Sequence, residues 1–199
     1  MKYTLQLLTI LAALTPTLAI GSDQIPGARQ TAPIVLKGGT IHRIDGRRVK
    51  APLVFNKGRI TAIGAKVRIS DKTKVIDISG LHVYPSLIES FSQIGLFEIG
   101  AVRATNDYQE VGRINPNVRA HVAVNPDSEI IPVTRSNGVL VALTVPSGGF
   151  VAGQASVIQL DGWSTEDMTI KPSAGLVVRW PEPAKSLKSP GGELKPPSG

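Results

Sequence analysis

Apolar and polar positions begin to alternate at Ile34, and the alternation recurs in short runs as far as Ile78. Residues 34–36 make a first short strand, ended by the bend at Gly38-Gly39. Residues 40–44 make a second. Ile41 and the stem of Arg43 fall on one face, His42 and Ile44 on the other. Asp45-Gly46 is a hairpin signal, and residues 51–55 read as the strand that pairs back, with Pro52 marking an edge. Asn56-Lys57-Gly58 is a further turn, followed by strands at 59–63 and 74–78. Short strands with frequent turns predict a small antiparallel sheet or half-sandwich over residues 34–84.

The pattern changes at Tyr84-Pro85. Leu87-Ile88 opens an apolar strand without alternation, which suits a buried parallel strand. Residues 117–125 and 127–136 read as a helical or loop-rich crossover, with Asp127 as N-cap and Pro132 interrupting the second stretch. Residues 138–145 carry the strongest buried-strand signal in the chain and run into Pro146 and a glycine-rich turn. Residues 155–160 and 175–180 are further strands. Strand, crossover, strand is the grammar of an α/β sheet or barrel.

The two ends read differently. Residues 1–19 resemble a secretory signal peptide: Lys2 is the positive start, 5–14 the apolar stretch, Pro16 the break, and Thr17-Leu18-Ala19 the small-residue cleavage site. Residues 20–33 form a flexible leader. Residues 181–199 hold Pro181, Pro183, Pro190, Pro196 and Pro197 around Gly191-Gly192, and read as a disordered or linker-like tail. The expected mature protein is exported, periplasmic or extracellular, with no membrane anchor after signal cleavage.

Composition narrows the chemistry. There is no cysteine, which excludes a disulfide scaffold, a thiolate metal site and a lipoprotein anchor. The net charge is +7, yet the basic residues are scattered beside turns, as at Arg43, Arg47, Arg48, Lys50, Lys57 and Arg59. Aromatics are 5% of the chain, too few to stack many bases, so nucleic acid is not the expected partner.

Two stretches together resemble a known family. They are Gly58-Arg-Ile-Thr-Ala-Ile-Gly64 and Val75-Ile-Asp-Ile-Ser-Gly-Leu-His-Val-Tyr-Pro-Ser-Leu-Ile-Glu89. The pair is similar to the entry of the amidohydrolase superfamily, in its imidazolonepropionase-like branch. The runs 98–107, Ile114-Asn-Pro-Asn117, Val124-Asn-Pro-Asp127 and Leu160-Asp-Gly-Trp163 extend the likeness over residues 34–180. The resemblance implies a mixed β and α/β fold, with a small β-sandwich-like subdomain (34–84) leading into a (β/α)8 barrel. It implies hydrolysis of carbon–nitrogen bonds other than peptide bonds, with zinc or another divalent metal. The family's first metal motif is Pro-Gly-Leu-Ile-Asp-x-His-x-His. Two histidines two apart on a strand share a face, so both reach one ion, which activates water.

This chain departs from the motif. Residues 85–93 read Pro-Ser-Leu-Ile-Glu-Ser-Phe-Ser-Gln, which puts Phe91 and Gln93 at the histidine positions and Ser86 at the glycine. Phe has no lone pair to offer, and a neutral Gln carbonyl is a poor zinc ligand. The family's other ligands come from later barrel strands. A full barrel takes ~250 residues, and the stretch after Tyr84 has room for roughly two to four of its strands. Residues 85–180 are therefore expected to form the opening strands of an incomplete barrel. The expected protein is a truncated or split amidohydrolase, catalytically incomplete as a lone chain, whose partner is a separately encoded remainder. The alternative is a non-catalytic exported binding module, a pseudoenzyme reusing the fold.

Nothing else in the sequence assembles a site. His42, His82 and His121 show no zinc-like spacing. Pro146-Ser-Gly-Gly-Phe-Val-Ala-Gly153 could cradle an anion, but Gln154 stands where a phosphate-binding loop needs Lys, so a tight turn is the simpler reading. Ser147 lacks a nucleophile elbow. Among Asp107, Glu110, Asp127, Glu129, Asp161, Glu166 and Asp167 no acid–base pair is selected; Glu166 and Asp167 read as the first turn of a short helix. No catalytic, metal or cofactor-binding residue is assigned.

Overall fold

A computed structural model describes residues 25–64 and 72–180. The expected signal peptide (1–19), the start of the expected leader (20–24), residues 65–71 and the expected tail (181–199) lie outside the described residues.

The β-rich subdomain holds two sheets. The larger contains β1 (Ile34–Lys37), β4 (Leu53–Asn56), β5 (Arg59–Ile63) and β6 (Lys74–Asp77), in the order β5-β4-β1-β6. The smaller contains β2 (Thr40–His42), β3 (Arg48–Val49) and β7 (His82–Val83), in the order β3-β2-β7. Val35, Ile41, Leu53 and Val54 are buried, whereas Ile60, Ile63 and Val75 are exposed, so the alternation marks an inner face on β1 and β2 but not on β5 or β6. The β4–β5 hairpin turns on Lys57 (φ 49°) and Gly58 (φ 71°), with Asn56 paired to Arg59. Positive φ at both central residues is what a type I′ turn requires, and it matches the strand twist.

Two expectations change here. The hairpin signal at Asp45-Gly46 is real, but β3 pairs back on β2, with Ile41 opposite Val49. Residues 53–56 instead join β1 and β5. Pro52, lacking an N–H, marks the passage from one sheet to the other. Nor is the subdomain wholly antiparallel. The chain returns alongside itself, so that β6 is parallel to β1 and β7 is parallel to β2. The register slips by two between these pairings, from Ile34↔Lys74 to Thr40↔His82. A turn closed by Leu81 N–H on the Ile78 carbonyl takes up the difference.

The second region is a four-stranded sheet ordered β11-β10-β9-β8, from β8 (Leu87–Ser92), β9 (Val139–Thr144), β10 (Val151–Gln159) and β11 (Thr169–Val178). β8 and β9 are parallel, joined by a crossover with short 3₁₀ turns at Arg103–Thr105 and Ala120–Ala123 and the helix α1 (Ile130–Ser136). A second short helix, α2 (Thr165–Met168), runs directly into β11. Leu96, Ala120, Val124, Ile131, Ala142, Ile158, Leu160 and Met168 form the core beneath it.

The predicted α/β succession stops after one step. β10 and β11 are antiparallel to their neighbours, as a long hairpin. The reason is the connection. A parallel return needs a dozen residues or more, whereas the chain reverses between Thr144 and Val151. Gly148 (φ 90°) and Gly149 (φ 61°) make that reversal, and a Cβ on Gly149 would sit 2.7 Å from the Arg113 carbonyl oxygen. The described chain is thus a strand-rich fold with few helices, holding one parallel β–α–β step.

Local signals fared unevenly. Ser164 caps α2, its hydroxyl accepting from Asp167 N–H at 3.2 Å, with Glu166 and Asp167 in the first turn as expected. Asp127 does not cap α1: the N-cap position is Glu129. Asn125 turns the chain there instead, its side chain accepting from Asp127 N–H at 3.1 Å. Pro132 is the third residue of α1, where its missing N–H costs no intrahelical bond. The described part of the leader is tied down. Gln30 Nε2 donates to the Ala32 and Phe55 carbonyls at 2.8 and 2.9 Å, and Arg29 meets Asp167 at 3.3 Å.

Candidate functional site

The stretch that resembles the metal motif lies on β8. The strand is anchored on β9 by Leu87↔Val139, Ile88↔Val141 and Ser92↔Thr144, with an irregularity between Glu89 and Ser92. At that irregularity Glu89 Oε1 accepts from Phe91 N–H at 3.1 Å. β8 is the outer strand of its sheet, and Leu87, Ile88 and Phe91 are exposed, Phe91 by 72%.

Phe91 and Gln93 both line a cavity of about 290 Å³, together with Val145, Ser147, Val178 and Arg179. Phe91 lies on β8 and Gln93 directly after it, and both face the one cavity, as the two histidines of the resembled family face one ion. The donor set is wrong for a divalent metal. Phe91 offers no lone pair, Gln93 offers a neutral amide, and the charged group in the lining is the Arg179 guanidinium. Arg179 Nη2 donates to Ser147 Oγ at 3.1 Å. A fixed cation repels another cation, and no carboxylate lines the cavity to offset it. Among the described residues no group of three or more His, Asp or Glu is placed to share a metal ion. These residues do not fit the divalent metal that the resemblance implies.

The glycine-rich turn is a turn. Ser147 N–H donates to the Tyr108 carbonyl at 2.7 Å and Phe150 N–H to Arg113 at 2.7 Å, so those donors are spent inside the fold. Ser147 meets Arg179 rather than a base. Of the acidic residues, Asp161 receives Arg135 and Gly27 N–H, and Asp167 receives Arg29. Asp107 and Glu110 share a cavity of about 330 Å³ with Tyr108 and Arg119. Glu166 stays at the start of α2. Its carboxyl is held below the ordinary carboxylate value first by its own backbone N–H, then by the Ser164 and Thr165 hydroxyls.

The histidines are placed in a way their spacing did not suggest. His121 belongs to the second region, where its backbone N–H donates to Ser156 Oγ at 3.0 Å. His42 and His82 meet across the β2–β7 ladder, Nε2 to Nδ1, at 2.8 Å. The signal that could have found them is a pair of strands, Thr-Ile-His and His-Val-Tyr, aligned in parallel.

Among the described residues no helix is long and apolar enough to cross a membrane. No family model and no curated protein matches the chain. Among solved structures, the chain is similar to an amidohydrolase from Thermotoga maritima MSB8, with a TM-score of 0.69 and 28% identity. That likeness covers 75% of this chain and 39% of the other, so this chain spans well under half of that enzyme's length. A prolidase crystallised with N-methylphosphonate-L-proline gives a TM-score of 0.40 at 20% identity, over 56% of this chain and 25% of that one, and carries no argument. The fold is amidohydrolase-like.

Proposed function

We propose that this chain is an exported amidohydrolase-like protein, of the imidazolonepropionase-like branch, that is catalytically incomplete alone. The observation that carries the reading is the cavity beside β8. At the position of the family's paired imidazoles stand Phe91 and Gln93, facing Arg179. The family reaction, metal-dependent hydrolysis of non-peptide carbon–nitrogen bonds, lacks its first two ligands here. The partner on this reading is a separately encoded polypeptide that packs along β8, whose exposed Leu87, Ile88 and Phe91 form an unpaired apolar edge. The strongly apolar strand β9 is not that edge: it lies between β8 and β10, with Ala142 fully buried.

One observation favours the second reading, a non-catalytic binding module. The same cavity has apolar walls and a single guanidinium, which suits a small ligand with an apolar body and one carboxylate. The test is size-exclusion with light scattering and thermal melting of the purified chain, alongside hydrolysis assays on N-acyl and cyclic-amide substrates with added Zn²⁺. The first reading expects no turnover, and association or a broad melt that sharpens when the completing polypeptide is added. Zinc-dependent turnover by the lone chain would overturn both readings. A sharp monomeric melt would overturn the first in favour of the second.

A further inference from the structure

A cavity of about 190 Å³ lies between the leader and the start of α1, apart from the cavity beside β8. Pro26 and the consecutive residues Asp127, Ser128 and Glu129 line it. Ser128 is 2% exposed, and its hydroxyl is buried with no hydrogen-bond partner. A buried hydroxyl left unpaired is disfavoured, so the position suits a guest that brings a polar group. The cavity far exceeds the ~30 Å³ share of one water. Buried Ile131, Leu160 and Met168 give the lining its apolar part.

We propose that this cavity binds a small organic ammonium, a primary amine on a short apolar body. The lining carries three carboxylates, Asp127, Glu129 and Asp161, and one guanidinium, Arg135. Arg135 Nη1 donates to Asp161 Oδ1 at 2.5 Å and to the Leu160 carbonyl at 3.3 Å. Those two charges offset each other, which leaves the balance negative through Asp127 and Glu129. The N-terminal end of α1 is partly positive, but two full charges outweigh a partial one. Such a lining repels a carboxylate ligand and draws in a cation. An ammonium has three N–H donors. One meets the Ser128 hydroxyl, and the others meet the carboxylates of Asp127 and Glu129, both of which are exposed residues at the rim. The carbon body then rests on Ile131, Leu160 and Met168. A bare metal ion fits less well, since among the described residues no group of three or more His, Asp or Glu is placed to share one. The inference does not rest on the reading of β8.

The test is a titration of the isotope-labelled full chain with butylammonium chloride, read by amide shifts in nuclear magnetic resonance, with sodium butyrate as the control. The proposal expects saturable shifts centred on residues 126–131 and 160–162, and none with butyrate. Ser128→Ala should weaken binding about tenfold. It should leave the melting midpoint of the ligand-free chain unchanged or raised, because it removes an unpaired buried hydroxyl. The double variant D127N/E129Q should also weaken binding about tenfold and remove its salt dependence, while Glu110→Gln, in the other cavity, leaves it unchanged. Circular dichroism checks that each variant keeps the wild-type fold. Equal affinity for butyrate would overturn the proposal, as would unsaturated shifts spread over surface carboxylates. Wild-type affinity in S128A would overturn it too, and so would a lowered midpoint, which would mean that the hydroxyl is bonded within the fold.

Discussion

Ile158 is the sharpest probe of whether the second sheet is a folded unit. It is fully buried near the end of β10, opposite Ala142 of β9 and Thr169 of β11. Ile158→Ala removes most of an apolar side chain and leaves a cavity. Buried Ile→Ala changes cost ~2–5 kcal/mol, the larger values where neighbours cannot relax into the space. Ladders hold β10 on both sides, so collapse is limited and about 3–4 kcal/mol is expected. For a unit of this size, each kcal/mol moves the melting midpoint by about 4–8 °C, so a fall of roughly 12–32 °C follows. Phe91→Ser is the matched control. Phe91 is 72% exposed, so the change should shift stability by no more than ~0.5 kcal/mol while reducing association through the β8 edge. Differential scanning calorimetry and light scattering on both variants read the two effects. An unchanged melt in I158A, or a loss in F91S as large as that in I158A, would refute the placement of the core.

Two further outcomes follow from single positions. Gly58→Ala puts a Cβ on a residue at φ 71° with open space around it, so the cost is backbone strain alone, about 1 kcal/mol; Lys57→Asn should recover part of it, as read by urea melts. Asp77 accepts from Ser79 Oγ at 2.6 Å and Ser79 N–H at 2.8 Å, and its carboxyl is held below its ordinary value of 3.8, first by the hydroxyl, then by the backbone N–H, then by Lys37. A depressed carboxyl contributes stability that is present above the unfolded value and lost as pH falls through the folded one. Asp77→Asn should therefore flatten part of the stability loss below pH 3.8 in an acid titration, and a slope unchanged from wild type would refute the assignment.

Much of the first sheet was legible because alternation and turn chemistry are local. Val35 and Ile41 announce their inner faces, and Asn56-Lys57-Gly58 announces the reversal between two strands. What alternation cannot carry is the identity of the neighbour. Parallel and antiparallel ladders ask for the same period along each strand. The return of β6 beside β1 and of β7 beside β2 was therefore invisible, and with it the meeting of His42 and His82. The same gap explains the second sheet. An apolar run such as 139–144 declares burial, but the antiparallel hairpin that follows is decided by the short, glycine-driven reversal after Thr144.

The candidate site divides along the same line. That Phe91 and Gln93 are poor metal ligands was readable at once, because lone pairs belong to the residue type. That Arg179 shares their cavity was not, because it arrives from the far end of the β10–β11 hairpin, 88 positions along from Phe91 in the numbering of the chain. The second fact strengthens the first. A site that had merely lost two ligands would be left neutral, and a nearby carboxylate or water could still draw a cation into it. A guanidinium held against Ser147 reverses the sign of the field there. The lining therefore disfavours the divalent metal that the resemblance implies, and on the proposed second reading it suits a carboxylate. Replacing Phe91 and Gln93 with histidines is therefore expected not to create a metal site by itself while Arg179 remains, as a zinc titration of the double variant with and without Arg179→Gln would show.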